Sequence, residues 1–237
     1  MRVRVRAVAW AASLGAAVII GATALAATPP SPTASASLTV VIGASISQGY
    51  HASSGHDWPT LAGHEEAAAA RGCRVVNRSI GATRLLTSYP DLPSSLSRLQ
   101  ADGLSIPGVH RVILTDIIND IQAVPHEYRA AEILAGIRRF ADEARAAGVL
   151  TTVATLTPYG GFDRWDPAGE QTRVEVNAAL RAGEVTGVDV IDFDAVLADP
   201  AHPNRILPAF DSGDHLHPND AEQSALADLV AGSAALC

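Results

Sequence analysis

Five short, nearly unbroken runs of β-branched and apolar residues, each separated from the next by a longer stretch of helical composition, most tightly limit the folds open to this chain. They are Leu38 to Gly43 (LTVVIG), Cys73 to Asn77 (CRVVN), Val109 to Thr115 (VHRVILT), Val149 to Thr155 (VLTTVAT) and Val188 to Phe193 (VDVIDF). A strand with one wet face alternates polar and apolar residues, whereas strands apolar on both sides need cover on both faces. Between and after them the sequence predicts helices over Asp57 to Arg71, Leu92 to Gly103, His126 to Gly148, Ala168 to Gly183 and Asn219 to Ala235. The expected fold is a three-layer α/β/α sandwich around a central parallel sheet of about five strands. No internal repeat is visible. In such sheets ligands bind beyond the carboxyl ends of the strands, so the residues that follow each run are the ones to read for chemistry.

The ends of the chain set its compartment. Arg2, Arg4 and Arg6 precede an uncharged Ala, Val, Leu and Gly stretch that closes on Ala24-Leu25-Ala26, so residues 1–27 have the parts of a secretory signal peptide. An uncleaved membrane anchor is the alternative, because the run approaches the roughly 20 residues that span a bilayer. Residues 28–37, TPPSPTASAS, form a Pro, Ser and Thr linker expected to be a disordered tether. Residues 38–237 then make one domain, secreted and without stable membrane association once the leader is cleaved. Of 17 basic side chains three lie in the leader, leaving 14 against 25 acidic ones and a net charge of −11. Such a surface repels nucleic acid and anionic lipid. Cys73 and Cys237 are the only cysteines, an even pair in an exported chain.

Four segments on the expected rim carry candidate chemistry. After the first run comes Gly43-Ala44-Ser45-Ile46-Ser47-Gln48-Gly49, which puts the Ser45 hydroxyl at the mouth of the sheet. After the second comes Gly81, and after the third Asn119. Before the last helix stands Ser212-Gly213-Asp214-His215-Leu216-His217. A carboxylate three residues ahead of a histidine can hold the imidazole in one tautomer and leave its other nitrogen free to take a serine proton. The N–H of Ser45, the N–H of Gly81 and the carboxamide of Asn119 would together make a three-donor oxyanion hole. Each also admits a plain structural role: Ser45 as a helix cap, Gly81 as a positive-φ turn, Asn119-Asp120 as the cap of a following helix, the histidines as solvated loop residues. A metal held by Asp214, His215 and His217 lacks a distant further ligand, and none is expected.

The order serine, glycine, asparagine, Asp-x-x-His over nearly everything from Leu38 onward closely resembles the SGNH hydrolases, the GDSL esterase and lipase family. Arg173 to Asn177 and Asp214 to Ala221 look like its secreted actinobacterial-type branch. The resemblance implies a flavodoxin-like sandwich with Ser45 as nucleophile, His217 as general base and Asp214 as its orienting carboxylate. It also implies an oxyanion hole of Ser45, Gly81 and Asn119, with no cofactor and no metal. The expected activity is that of a secreted serine esterase, acting as a monomer on short-chain or carbohydrate-linked esters. Three departures stand out: Ala44 where the family has aspartate, Ile117 where it has glycine, and Ala221-Glu222-Gln223 in place of Ala-Gly-Tyr. They give weight to a rival, a catalytically impaired glycan-binding module on the same fold; an amide or thioester hydrolase is a third reading. The loops Tyr50 to Trp58 and Tyr159 to Asp166 are expected to wall the pocket, with Trp58, Tyr159, Phe162 and Trp165 available to stack on a sugar. No hydrophobic lid is evident. Finally, the helix before Cys73 and the last helix should cover one face and both run away from the rim, which predicts a Cys73–Cys237 disulfide.

Overall fold

The structure, a computed structural model, describes residues 37–237. The leader and all of the tether but Ser37 lie outside the described residues. Five strands form a parallel sheet: β1 (Ser37–Ile42), β2 (Cys73–Asn77), β3 (Val109–Leu114), β4 (Leu150–Ala154) and β5 (Val188–Ile191), in the order β2-β1-β3-β4-β5. The chain steps from β1 outward to β2 and returns on the other side of β1 as β3. That reversal makes the carboxyl ends of β1 and β3, where Ile42 pairs with Leu114, the point at which a crevice opens.

The two-sided burial read from the sequence follows from strand alternation. Val40, Ile42, Val112, Leu114 and Val153 face one apolar core, and Val41, Ile113 and Ala154 face the other. The first core is closed by three elements, beginning with a one-turn helix, Ser95–Leu99, that runs on as a π turn over Gln100–Leu104. The other two are helices Ala130–Ala146 and Pro167–Arg181. In Ala130–Ala146 the buried residues Ile133, Ile137, Phe140 and Ala144 recur at helical spacing. Asp166 caps Pro167–Arg181 by accepting the Ala168 and Gly169 amides, with Pro167 at its first position. The second core is closed by Trp58–His64, Glu66–Ala70, Phe193–Leu197 and Asp220–Gly232.

Several boundaries differ from the sequence reading. The helix expected over residues 57–71 breaks at Glu65, whose backbone is extended, and the helix expected from His126 starts at Ala130. Two short helices, Ile118–Gln122 and Phe193–Leu197, and an antiparallel pair, Ala198–Asp199 with His202–Ile206, went unread. Each is too short to display a period, and the last contains a proline and charged residues.

Cys73 and Cys237 are bonded, with Cα atoms 6.0 Å apart. The C-terminal segment is also tied to the underside of the sheet, where Thr39 Oγ1 donates to the Leu236 carbonyl and Thr152 Oγ1 to that of Ala235. No helix among the described residues is long and apolar enough to cross a membrane.

Candidate active site

Ser45 opens a single helical turn, Ser45–Gln48, directly beyond β1. So short a helix does not stand alone, and this turn is bonded to several neighbouring elements. The Gly43 carbonyl accepts from the Arg98 guanidinium at 2.8 Å, the Ile46 carbonyl from Gln223 at 2.9 Å and the Ser47 carbonyl from Asn77 at 2.7 Å. The Ala44 and Ser47 amides donate to the Asp116 carboxylate. Among the described residues no acceptor takes the Ser45 N–H. Gly43 has to be glycine, since a Cβ there would lie 2.5 Å from Thr115 Cγ2.

The histidine comes from the loop ahead of the last helix. His217 Nε2 lies 3.0 Å from Ser45 Oγ, and its Nδ1 lies 2.5 Å from Asp214 Oδ2. Asp214 Oδ1 accepts the Leu216 and His217 amides, so the carboxylate shapes the loop and holds the ring together. Burial alone would raise the Asp214 pKa, but the hydrogen bonds from His217 and these two amides bring it down to about 2. His215 turns away and bonds Asp211 through Nδ1 instead. His51 brings Nε2 to 3.6 Å from Asp214 and, with Asp214 and His217, forms the one compact group of potential metal ligands among the described residues. A cation there would compete for the nitrogens that face Ser45 and Asp214.

Gly81 and Asn119 line the same cavity as Ser45 and His217, of about 440 Å³. The backbone of Gly81 is not left-handed; the positive φ falls on Ala82, at 60°. A Cβ there would closely meet only Oε1, at the flexible end of Gln48, at 2.8 Å. That same Oε1 accepts the Gly81 N–H at 3.0 Å. Asn119 donates through Nδ2 to the Thr83 carbonyl at 2.9 Å, and its Oδ1 accepts from Gln122. Asp120 does not cap a helix but accepts the Leu85 and Leu86 amides, bracing the loop that carries Gly81. Burial pushes its pKa up to about 6 against those two bonds.

The three departures from the family pattern resolve differently from expectation. Ile117 has φ −63° and sits in the first core, so no left-handed backbone is required of it. The positive φ lies one residue earlier, at Asp116 with φ 60°. The turn around Ala44 does not lack a carboxylate, since Asp116 supplies one from β3. Gln223 is fully buried and bonds both the Trp58 amide and the Ile46 carbonyl. The expected stacking platform shrinks. Trp58 and Tyr159 are fully buried, Trp58 donating its indole N–H to Ser47 Oγ, and Trp165 packs on the first core. Of the four aromatics only Phe162 lines the cavity; Tyr50, Leu216, Gln48, Gln122 and Arg164 also border it. The sequence reading assigns no role to Asp116, Arg98, Gln48 or Gln223. Gln48 and Asp116 stand just past strands on the rim and Gln223 among the departures, but what each bonds depends on a partner distant in the chain.

The family model of the GDSL-like lipases and acylhydrolases matches residues 41–223. No curated protein matches the chain by sequence. Solved structures share the fold. The native aryl esterase of M. smegmatis is 16% identical, covering 83% of this chain and 97% of its own, with a TM-score of 0.67. Est24, a carbohydrate acetylesterase from Sinorhizobium meliloti, is 15% identical, covering 82% and 96%, with a TM-score of 0.65. The psychrotrophic esterase EstA from Pseudoalteromonas is 17% identical, covering 81% and 93%, with a TM-score of 0.61.

Proposed function

The chain belongs to the GDSL-like lipase and acylhydrolase family of ester hydrolases, and from that premise we propose that Ser45 is its nucleophile, His217 its general base and Asp214 the carboxylate that orients the base. The observation that carries the reading is the pair of contacts on one imidazole, Nε2 at 3.0 Å from Ser45 Oγ and Nδ1 at 2.5 Å from Asp214. Ser45 Oγ attacks the ester carbonyl while His217 Nε2 takes its proton, and the imidazolium so formed is stabilised by ionised Asp214. The carbonyl oxygen becomes an oxyanion held by the N–H of Ser45, the free Nδ2 proton of Asn119 and the N–H of Gly81, the last once Gln48 has moved aside. Collapse expels the alcohol, protonated by His217. Water, deprotonated by the same imidazole, then releases the acid and regenerates Ser45.

The substrate class that fits is a short-chain or carbohydrate-linked ester. The cavity of about 440 Å³ is small, with an apolar wall from Tyr50, Phe162 and Leu216 and polar groups from Gln48, Gln122 and Arg164. The activity named for Est24, a carbohydrate acetylesterase, points the same way. Export is supported by the signal-like residues 1–27 and by the Cys73–Cys237 bond, which suits an oxidising compartment. The matches of Arg173 to Asn177 and Asp214 to Ala221 support the secreted actinobacterial-type branch. Every proposed catalytic group comes from one chain, so the proposed reaction needs no second copy. Purified residues 38–237 should hydrolyse p-nitrophenyl acetate faster than a matched anilide, and Ser45→Ala should abolish nearly all turnover. Equal rates for the two proteins refute the assignment.

A further inference from the structure

The turn that carries Ser45 leaves its opening amides, from Ala44 to Ser47, with no acceptor inside the turn, and residue 44 itself has no side chain able to cap it. One carboxylate, from the loop after β3, serves those of Ala44 and Ser47. Asp116 lies just past β3, and its Oδ2 accepts the Ala44 N–H at 2.5 Å and the Ser47 N–H at 2.9 Å. Its Oδ1 accepts the Ser47 hydroxyl at 3.1 Å and that of Thr115 at 2.9 Å. The carboxylate is 8% exposed, so these bonds replace water that cannot reach it. Two further features serve this contact. Asp116 holds a left-handed backbone at φ 60°, which non-glycine residues adopt only at a cost. Gly43 leaves the space the carboxylate fills, since a Cβ there would stand 3.0 Å from Asp116 Oδ2.

We propose that Asp116 is the positioning residue of the nucleophile: by tethering the amides on either side of Ser45 it fixes the Ser45 hydroxyl on His217 and leaves the Ser45 N–H unspent. It touches no substrate. Its contribution is to keep a one-turn helix from drifting by the fraction of an ångström that separates a productive serine from an idle one, a displacement for which about 100-fold in rate is at stake.

This inference rests on Ser45 being the nucleophile, so Ser45→Ala is assayed in parallel. Two substitutions compatible with a left-handed backbone carry the test. Asp116→Gly removes every acceptor, while Asp116→Asn keeps one oxygen able to take both amides. Active sites are counted by stoichiometric fluorophosphonate labelling, and kcat and KM for p-nitrophenyl acetate are expressed per labelled site. The expected result for Asp116→Gly is a kcat per site lower by about 100-fold with KM within about twofold. Asp116→Asn, which keeps one oxygen for the amides but loses the charge, should fall between the two, slower per site than the parent by about tenfold. A merely structural role moves the number of sites and leaves the rate of each unchanged; that outcome, in Asp116→Gly or, should it not fold, in Asp116→Asn, overturns the proposal. Turnover surviving in Ser45→Ala instead removes the catalytic reading on which it stands.

Discussion

Gly81 offers its N–H to an atom already in place. An N–H only donates, so the Gln48 atom 3.0 Å away has to be its carbonyl oxygen. That bond must open before an oxyanion can take the same donor, and an exposed hydrogen bond of this kind is worth about 1 kcal/mol. Gln48→Ala should therefore raise kcat/KM for p-nitrophenyl acetate by about fivefold. Gln48→Glu should lower it by more than about tenfold, since a carboxylate holds the donor harder and repels the oxyanion. Steady-state rates of the two variants moving in the same direction would show that Gly81 does not serve the reaction. Asp214 sets a second expectation. Because its pKa lies near 2, it stays ionised at any ordinary assay pH, and the acid limb of the rate profile does not come from it. Its depressed value adds stability present above the ordinary carboxylate range and lost as pH falls through about 2. Asp214→Asn should cost about 10⁴ in kcat across the whole profile while leaving the fold in place, checked by a pH series with parallel circular dichroism. That Ser45, Asp214, Gly81, Asn119 and His217 share one rim was legible because each follows a strand or precedes a helix. The roles of Gln48 and Asp116 were not, since what they do depends on which atom of a distant loop comes within 3 Å.

At the scale of elements, the five strands and the long helices were readable because burial on two faces writes nearly continuous apolar runs, and burial on one face writes a 3.6-residue period. Ile118–Gln122 carries neither, although its first turn brings Asn119 and Asp120 to the site. The residue that looked most damaging there, Ile117, is 1% exposed and packs with Ile42, Ile46 and Ile121 in the first core. Replacing it by the glycine usual in the family should not awaken activity. Ile117→Gly is expected to lose about 2–5 kcal/mol in urea unfolding through the cavity it opens, with no gain in kcat. A faster and equally stable variant would mean that the isoleucine obstructs the site. Glu65 marks the other limit of legibility: the Ala-rich stretch that follows it favours helix, yet the extended backbone of Glu65 breaks the helix there.

Over the whole molecule, buried acids set how stability varies with pH. Glu222 is 1% exposed, its Oε2 has no partner among the described residues, and burial, with Asp211 nearby, pushes its pKa well above the usual carboxylate range. Asp116 and Asp120 are raised by burial too. A group raised in the folded state keeps its proton where the unfolded chain has lost it, so stability falls as pH climbs from the ordinary carboxylate value through the folded one. Glu222→Gln should flatten that fall and melt above the parent at about pH 8 while matching it near pH 4; parallel melting curves at both pH values would contradict it. What unites the molecule is convergence, in that four loops distant in sequence meet at the carboxyl edge of one sheet and make residues 45 and 217 neighbours. The most direct measurement is labelling by a fluorophosphonate followed by peptide mass spectrometry. One adduct per chain is predicted, on the peptide containing Ser45, and His217→Ala should resist the reagent at the same concentration. An adduct on any other residue, or undiminished labelling of His217→Ala, would contradict the account.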